Sequence, residues 1–313
     1  MPRAPGLIID TDPGVDDAIA ILLALASTSA NLLGLTVVGG NVPLARGTRN
    51  ALAILDWVHH SEIPVCRGSS RPLKGRFGYS FAFHGKSGIT HRLPNPQTRP
   101  STEGAAEFMA RNLQKLPGGV SLVALGPLTN MARMLGSAPA ARGNPLASAA
   151  SLTIMGGAVN CPGNVTAYAE FNFYSDPLAA HQVLNCGIPI TLVDLAACRQ
   201  VALTRDQVVD LGADTLWGNL AIEILKGWFK QDPNRDSFQF YDPLALAVAL
   251  DPRLVATRPV SLEVLSDESP LRGHSRISAE PRNIELVTEV DRGRFFTLLA
   301  DLMGWKGLAP GVG

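Results

Sequence analysis

The chain has 313 residues, of which 46% are hydrophobic, and its 27 basic and 27 acidic side chains leave a formal charge of zero. That length suits one large α/β domain, here read as a single domain over 1–313, and its 30 Gly and 23 Pro allow many turns around a sizeable core. Charge balance argues against nucleic acid held on a basic surface, which needs a positive excess. No apolar run is long and clean enough to predict a membrane span.

The opening "MPRAPGLIIDTD" lacks the apolar stretch and small-residue cleavage site of a secretory leader. Cys66, Cys161, Cys186 and Cys198 are far apart and show no metal-ligand spacing. Free thiols and a cytoplasmic location are the expectation.

In chain order, "GLIID" (6–10) predicts a first buried strand, and "DDAIAILLALAS" (16–27) a helix apolar nearly all round. Strand "LLGLTVVGG" (32–40) leads to helix "RGTRNALAILDWVHH" (46–60), on which Trp57 is expected in the core, and then to strand "IPVCRG" (63–68). A long irregular segment, 73–100, reads as a lid or binding loop. Helix "TEGAAEFMARNLQKL" (102–116) precedes strands at 120–127, 151–158 and 188–195. A polar, turn-rich stretch (230–243) leads into a helix at 243–250, and smaller strands are expected at 260–265 and 284–290. Strands alternating with helices predict an open, mostly parallel central sheet with helices on both faces.

In such a sheet, ligands bind beyond the carboxyl ends of the strands. Asp10 and Asp12 follow the first strand, Asn41 the second, Leu125 a later one, and Asn160 to Asn172 another. The densest group is "DTDPGVDD" (10–17), four aspartates in eight positions. Two unit charges about 5 Å apart repel by roughly 3 kcal/mol at an effective dielectric near 20, so a cation, a proton or a helix dipole must offset them.

Helix capping by Asp16, and by Asp242 ahead of Pro243, would use one acid per helix and leave the others unexplained. A hard cation with oxygen ligands accounts for the rest; calcium suits flexible carboxylate sites, and magnesium shares the oxygen chemistry. The absence of His and Cys from the cluster disfavours zinc. In "GNVTAYAEFN", Asn164, Glu170 and Asn172 combine donors and acceptors as a polyhydroxyl ligand requires. An aspartyl-nucleophile phosphatase also begins strand–DxD, but here Pro13 breaks that motif.

"IIDTDPGVDDAIAILLAL", "VVGGNV" with "TRNA", "HGKSG", "LVALGPLTNMA", "IMGGAVNCPGNVTAYAEFNFYSDPLAA" and "YDPLALA" occur together, in order, over nearly the whole chain. In these the chain resembles the nucleoside hydrolases of the inosine–uridine-preferring type. The resemblance implies a Rossmann-like nucleoside hydrolase fold and hydrolysis of ribonucleosides to ribose and free base. It implies a calcium ion held by Asp12, Asp17, the Leu125 carbonyl and Asp242, which also holds the attacking water. Asp12 matches the general base. Asp16, Asn164, Glu170, Asn172 and Asp242 match ribose-binding positions, with Asn41 close by. Asp10 matches an acid that orients the cluster from behind, and His84 a loop position that can approach the base or the 5′ end. Homodimers or homotetramers are implied as well.

Tyr241 stands where many relatives carry a histidine that helps the base depart, and phenol is a far poorer proton donor at neutral pH. Tyr241 is therefore carried as a catalytic candidate in altered form. His84, Trp228, Phe229 and Tyr241 are candidates for an aromatic wall around the base. Lys86 replaces a commonly acidic loop residue. A non-catalytic nucleoside-binding or sensing protein on the same fold is the alternative reading.

Overall fold

The structure, a computed structural model, describes residues 4–137, 143–279 and 284–308, so the first three residues of the N-terminal stretch lie outside it. Six parallel strands form most of the central sheet: β1 (Gly6–Thr11), β2 (Asn31–Val37), β3 (Val65–Arg67), β4 (Val120–Ala124), β5 (Ser151–Met155) and β6 (Ile190–Val193). From one edge the order is Val255–Val260, Ile284–Val290, β6, β5, β4, β1, β2, β3, and only the pairing of the first two is antiparallel. The expected mostly parallel sheet is thus found; the strand expected as a small addition at 284–290 belongs to it, while of 260–265 only Leu262–Val264 lies in a separate pair, one of three two-stranded sheets among the described residues.

Alternation along the strands builds two cores. Leu7 and Ile9 of β1 join one apolar cluster, while Ile8 joins the other on the opposite face. The first core takes α1 (Val15–Ala26), α2 (Leu44–Trp57) and the helices Leu216–Gln231, Tyr241–Leu250 and Arg292–Met303. Apolar nearly all round, α1 is buried from Val15 to Ala24. The second core takes Ala105–Lys115, Thr129–Ser137 and Pro177–Leu184.

Sequence after β1 runs to β2 on one side, while β4 and β5 build outward on the other. The β1/β4 boundary is therefore the switch point where a crevice opens at the strand ends. Leu125 N–H reaches the Asp10 carbonyl at 2.7 Å and Val38 N–H the Thr11 carbonyl at 2.9 Å, so the exits of three strands are tied together there.

Three expectations are corrected. Helix α1 begins at Val15 after Gly14, so Asp16 does not cap it; Asp17, in its first turn, accepts the Gly14 N–H at 2.9 Å instead. The helix expected at 243–250 begins at Tyr241 with Phe240 as cap, which places Asp242 inside the first turn and leaves its carboxyl for other work. Trp57 is not a core residue but 37% exposed, at the end of α2. The segment 73–100 has little regular structure beyond α3 (Phe81–His84). Among the described residues, no helix is long and apolar enough to cross a membrane.

Candidate active site

Asp10, near the end of β1, and Asp12, just beyond it, are fully buried. Asp10 Oδ1 accepts from Thr36 Oγ1 at 2.6 Å and from Asn130 Nδ2 at 2.7 Å, while its Oδ2 has no partner. Burial outweighs these hydrogen bonds and pushes its carboxyl up to about 7. Asn130 also accepts the Ser69 N–H at 2.8 Å, so Asp10 stitches the strand ends together behind the site.

The Pro13-Gly14 turn then brings the other acids round. Asp17 Oδ1 accepts from Thr11 Oγ1 and from the Asp12 N–H at 3.2 Å; its Oδ2 accepts from Asn41 Nδ2 at 3.0 Å. Asp12 Oδ2 accepts the Asn41 N–H at 2.6 Å, and Oδ1 is buried without a partner. Gly40 is required by this approach: a Cβ there would stand 2.0 Å from Asp12 Oδ2.

Carboxylate oxygens of Asp16, Asp17 and Asp242 lie within 4.8 Å of one another, all buried. Asp12 stands outside this tight trio, turned towards Asn41. Burial, then repulsion from Asp17, raises Asp12 well above the usual carboxylate range and Asp16 to about 8. Burial, then the charges of Asp16, Asp17 and Asp12, does the same to Asp242, which shares a hydrogen bond with Asp17. Among the described residues, no Lys or Arg pairs with these four acids. An all-oxygen, anionic donor set with an unpartnered oxygen at Asp12 fits a hard divalent cation.

Above the acids lies a cavity of about 160 Å³. Asp16, Asp242, Asn41 and Leu125 form its acidic side. Asn164, Glu170 and Asn172 line another side, brought there by the loop after β5. Glu170 caps the helix Phe171–Ser175, accepting the Asn172 N–H at 2.7 Å and the Phe173 N–H at 3.1 Å, and burial lifts it to about 7. Asn172 Nδ2 donates to the Leu125 carbonyl at 2.8 Å. Asn164 sits on an exposed stretch at the mouth.

The cavity's apolar side is Phe83, Phe171, Tyr241, Val165 and Met155, with Ser80 and His84. Tyr241 Oη donates to Gln239 Oε1 at 3.2 Å, and burial raises the phenol pKa. Trp228 and Phe229 do not line the cavity. Trp228 is buried behind Phe83, ring centroids 5.2 Å apart, and Phe229 lies under the Arg205 guanidinium at 5.0 Å. Both are bulky apolar residues of helix Leu216–Gln231, whose core-facing side claims them. Lys86 is exposed, and its carbonyl accepts from Arg46. Sequence reasoning missed Phe83, Ser80 and Phe171; the neighbouring "HGKSG" and "AEFN" motifs were the available signals.

Residues 7–297 match the model of a family described as inosine-uridine preferring nucleoside hydrolase. The chain belongs to that family. It is 42% identical to uridine nucleosidase 1 of Arabidopsis thaliana over 209 residues, covering 66% of this chain and 61% of the plant protein. It is 33% identical to the pyrimidine-specific ribonucleoside hydrolase RihA of Shewanella sp. (strain MR-4), covering 94% of this chain and 95% of that one. Among solved structures, a purine-preferring ribonucleoside hydrolase from Gardnerella vaginalis superposes with a TM-score of 0.85 at 32% identity, over 96% of this chain and 98% of the other. This nucleoside hydrolase is therefore an enzyme acting on the N-glycosidic bond of ribonucleosides, and the non-catalytic reading is not favoured. The family is one of metal-dependent hydrolases, and the buried aspartates are where a metal fits.

Proposed function

We propose that this hydrolase uses calcium, held by Asp12, Asp17, the Leu125 carbonyl and Asp242, with Asp12 as general base. The observation that carries this is the unpartnered Asp12 Oδ1 beside three buried carboxylates whose oxygens lie within 4.8 Å. When bound, the ion neutralises the acids and makes a water more acidic.

Asp12 Oδ1 is the atom that takes the proton from the attacking water. Asp16, Asn41, Asn164, Glu170, Asn172 and Asp242 bind the sugar hydroxyls and fix the anomeric carbon against that water. Bond cleavage builds positive charge on the ribose ring, as in glycoside hydrolysis, and the carboxylates of Asp16 and Asp242 lie on the side of the cavity that stabilises it. Phe83, Phe171 and Tyr241 cover the base and exclude solvent. With its pKa raised, Tyr241 acts as a hydrogen-bond donor to the leaving base and keeps its proton. Asp10 orients Asp12 through the strand ends that it ties together.

The same proposal takes residues 1–313 as one domain, assembled as a homodimer or homotetramer. Four free cysteines support a cytoplasmic place of work. Calorimetric titration of the chelated protein tests the metal: calcium binds one site in the wild type and fails to bind Asp242→Asn or Asp17→Asn. Equal calcium binding by those variants, or tight magnesium binding with none of calcium, contradicts the assignment.

A further inference from the structure

Arg235 lies outside the cavity, yet it ties the cavity's roof to the body of the protein. Its Nη2 donates to the carbonyls of Ala82 at 2.7 Å and Phe83 at 3.4 Å. Nη1 donates to the Trp228 carbonyl at 2.8 Å and to Gln231 Oε1 at 3.4 Å. The guanidinium lies 4.1 Å from the Trp228 ring centroid and 5.8 Å from that of Phe83. A helix as short as α3 leaves its last carbonyls without partners of its own, and Arg235 supplies them. Its nearest carboxylate, Asp232, is 4.0 Å away and half exposed, so the donors are spent on backbone rather than on an ion pair.

The turn that carries Arg235 is held in its turn. Arg205 Nη2 donates to the carbonyls of Asp232, Pro233 and Arg235 at 3.0, 3.0 and 2.9 Å, and Nη1 to that of Phe229 at 3.1 Å. Two arginines in series thus connect the helix Arg205–Asp210 to α3. Other tethers fix the flanks of the long loop: Ser80 N–H to the Asn41 carbonyl at 3.0 Å, and Asn50 Nδ2 to the Ser87 carbonyl at 2.9 Å. Between them, the two residues of α3 that line the cavity, Phe83 and His84, are placed by Arg235 and by the Val15 N–H bond to His84.

We propose that Arg235 is a positioning residue of this hydrolase: by holding the Ala82 and Phe83 carbonyls it keeps the Phe83 ring and the His84 imidazole over the nucleoside, so that its loss weakens substrate binding more than it slows bond cleavage. The guanidinium's planar fork reaches α3 and the Trp228 carbonyl at once, which a lysine cannot do. The kinetic part of the test rests on the cavity being the nucleoside site, and the exchange part does not.

Arg235→Gln and Arg235→Lys are compared with the wild type, all with calcium, by initial rates on uridine and inosine and by amide hydrogen exchange of intact protein. Arg235→Gln is expected to raise KM by about tenfold with kcat changed by less than about threefold, with Arg235→Lys in between. Exchange is expected to accelerate at 78–88 while β1 and the helix Tyr241–Leu250 keep their protection. A KM within about twofold of wild type, or a fall in kcat at unchanged KM, overturns the proposal. So does unchanged exchange at 78–88 in either variant. Should Arg235→Gln fail to fold, Arg235→Lys decides on both readouts. If the wild type itself turns over no nucleoside, the calcium-dependent hydrolase reading fails and exchange alone decides the role of Arg235.

Discussion

His84 Nδ1 accepts the backbone N–H of Val15 at 3.0 Å, so a ring from the long loop caps the helix that carries Asp16 and Asp17. Gly14, the residue at the cap, has no side chain to do so, and a Cβ at Gly14 would stand 2.4 Å from that nitrogen. An accepting Nδ1 places the ring hydrogen on Nε2. One hydrogen bond thus both anchors the long loop and satisfies the start of α1.

Loss of that cap has a cost and a pH signature. His84→Ala is expected to lower stability by about 1 kcal/mol, the usual worth of a helix cap. Burial, then the charge of Arg235, lowers the ring from its ordinary 6.5 to about 3. The unfolded chain takes up this proton below 6.5 whereas the folded ring refuses it until about 3, so this group's stabilisation is complete above 6.5 and is lost as pH falls through that window. Denaturant unfolding at pH 7 and pH 5 reads both effects. An unchanged midpoint at pH 7 would show that the ring does not cap α1.

The acids act in the opposite sense. Asp10 and Glu170 are raised to about 7 and Asp16 to about 8, and burial with neighbouring charges also raises Asp12 and Asp242 well above the usual carboxylate range. Without metal, the folded protein holds protons that the unfolded chain releases above about pH 4, so their contribution is full below that pH and lost as pH rises through 7 to 8. Several acids outweigh one histidine. Thermal scans in chelator should therefore show a lower Tm at pH 8 than at pH 5.5, and added calcium should raise Tm more at pH 8. A chelated protein more stable at pH 8 would contradict the electrostatics of the cluster.

Gly40→Ala tests the placement of Asp12. A Cβ 2.0 Å from Oδ2 forces either the carboxylate or the loop to move. If Asp12 is the general base, kcat should fall by about 10²-fold or more, the ordinary contribution of such a group, while the fold persists by circular dichroism. Activity near that of the wild type would show that the close approach is not required.

Tyr241→Phe asks whether the phenol gives up its proton. Burial raises its pKa, so the phenol is expected to turn its hydrogen from Gln239 to the base without releasing it, and the account predicts a fall in kcat of no more than about tenfold, the worth of one hydrogen bond. A loss of about 10²-fold would make Tyr241 a true acid in the reaction.

Much of this was legible in the sequence because it is local. β1, α1 and the acids between them sit within twenty-one consecutive residues, Gly6–Ala26, and their patterns depend on neighbours in the chain. The start of α1 was misplaced because its caps, Asp17 from inside the first turn and His84 from far along the chain, are not where a simple cap pattern puts them. Asp242 was misread as a cap for a related reason: Asp-Pro has the same pattern whether the acid precedes the helix or lies within its first turn. Trp228 and Phe229 were drawn towards the cavity by their aromaticity, but hydrophobicity says only that a residue is buried, not against what. Phe83 and Arg235 acquire their roles by meeting across 152 residues, a pairing no spacing in one sequence encodes.

The most direct test of the whole account is release of free base from inosine, adenosine, guanosine, uridine and cytidine by the wild type and by Asp12→Ala, each with calcium and again after chelation. Release by the wild type that stops on chelation, returns with calcium, and is absent in Asp12→Ala is the predicted result. Undiminished release in chelator, or by folded Asp12→Ala, would contradict the proposed roles of the metal and of Asp12.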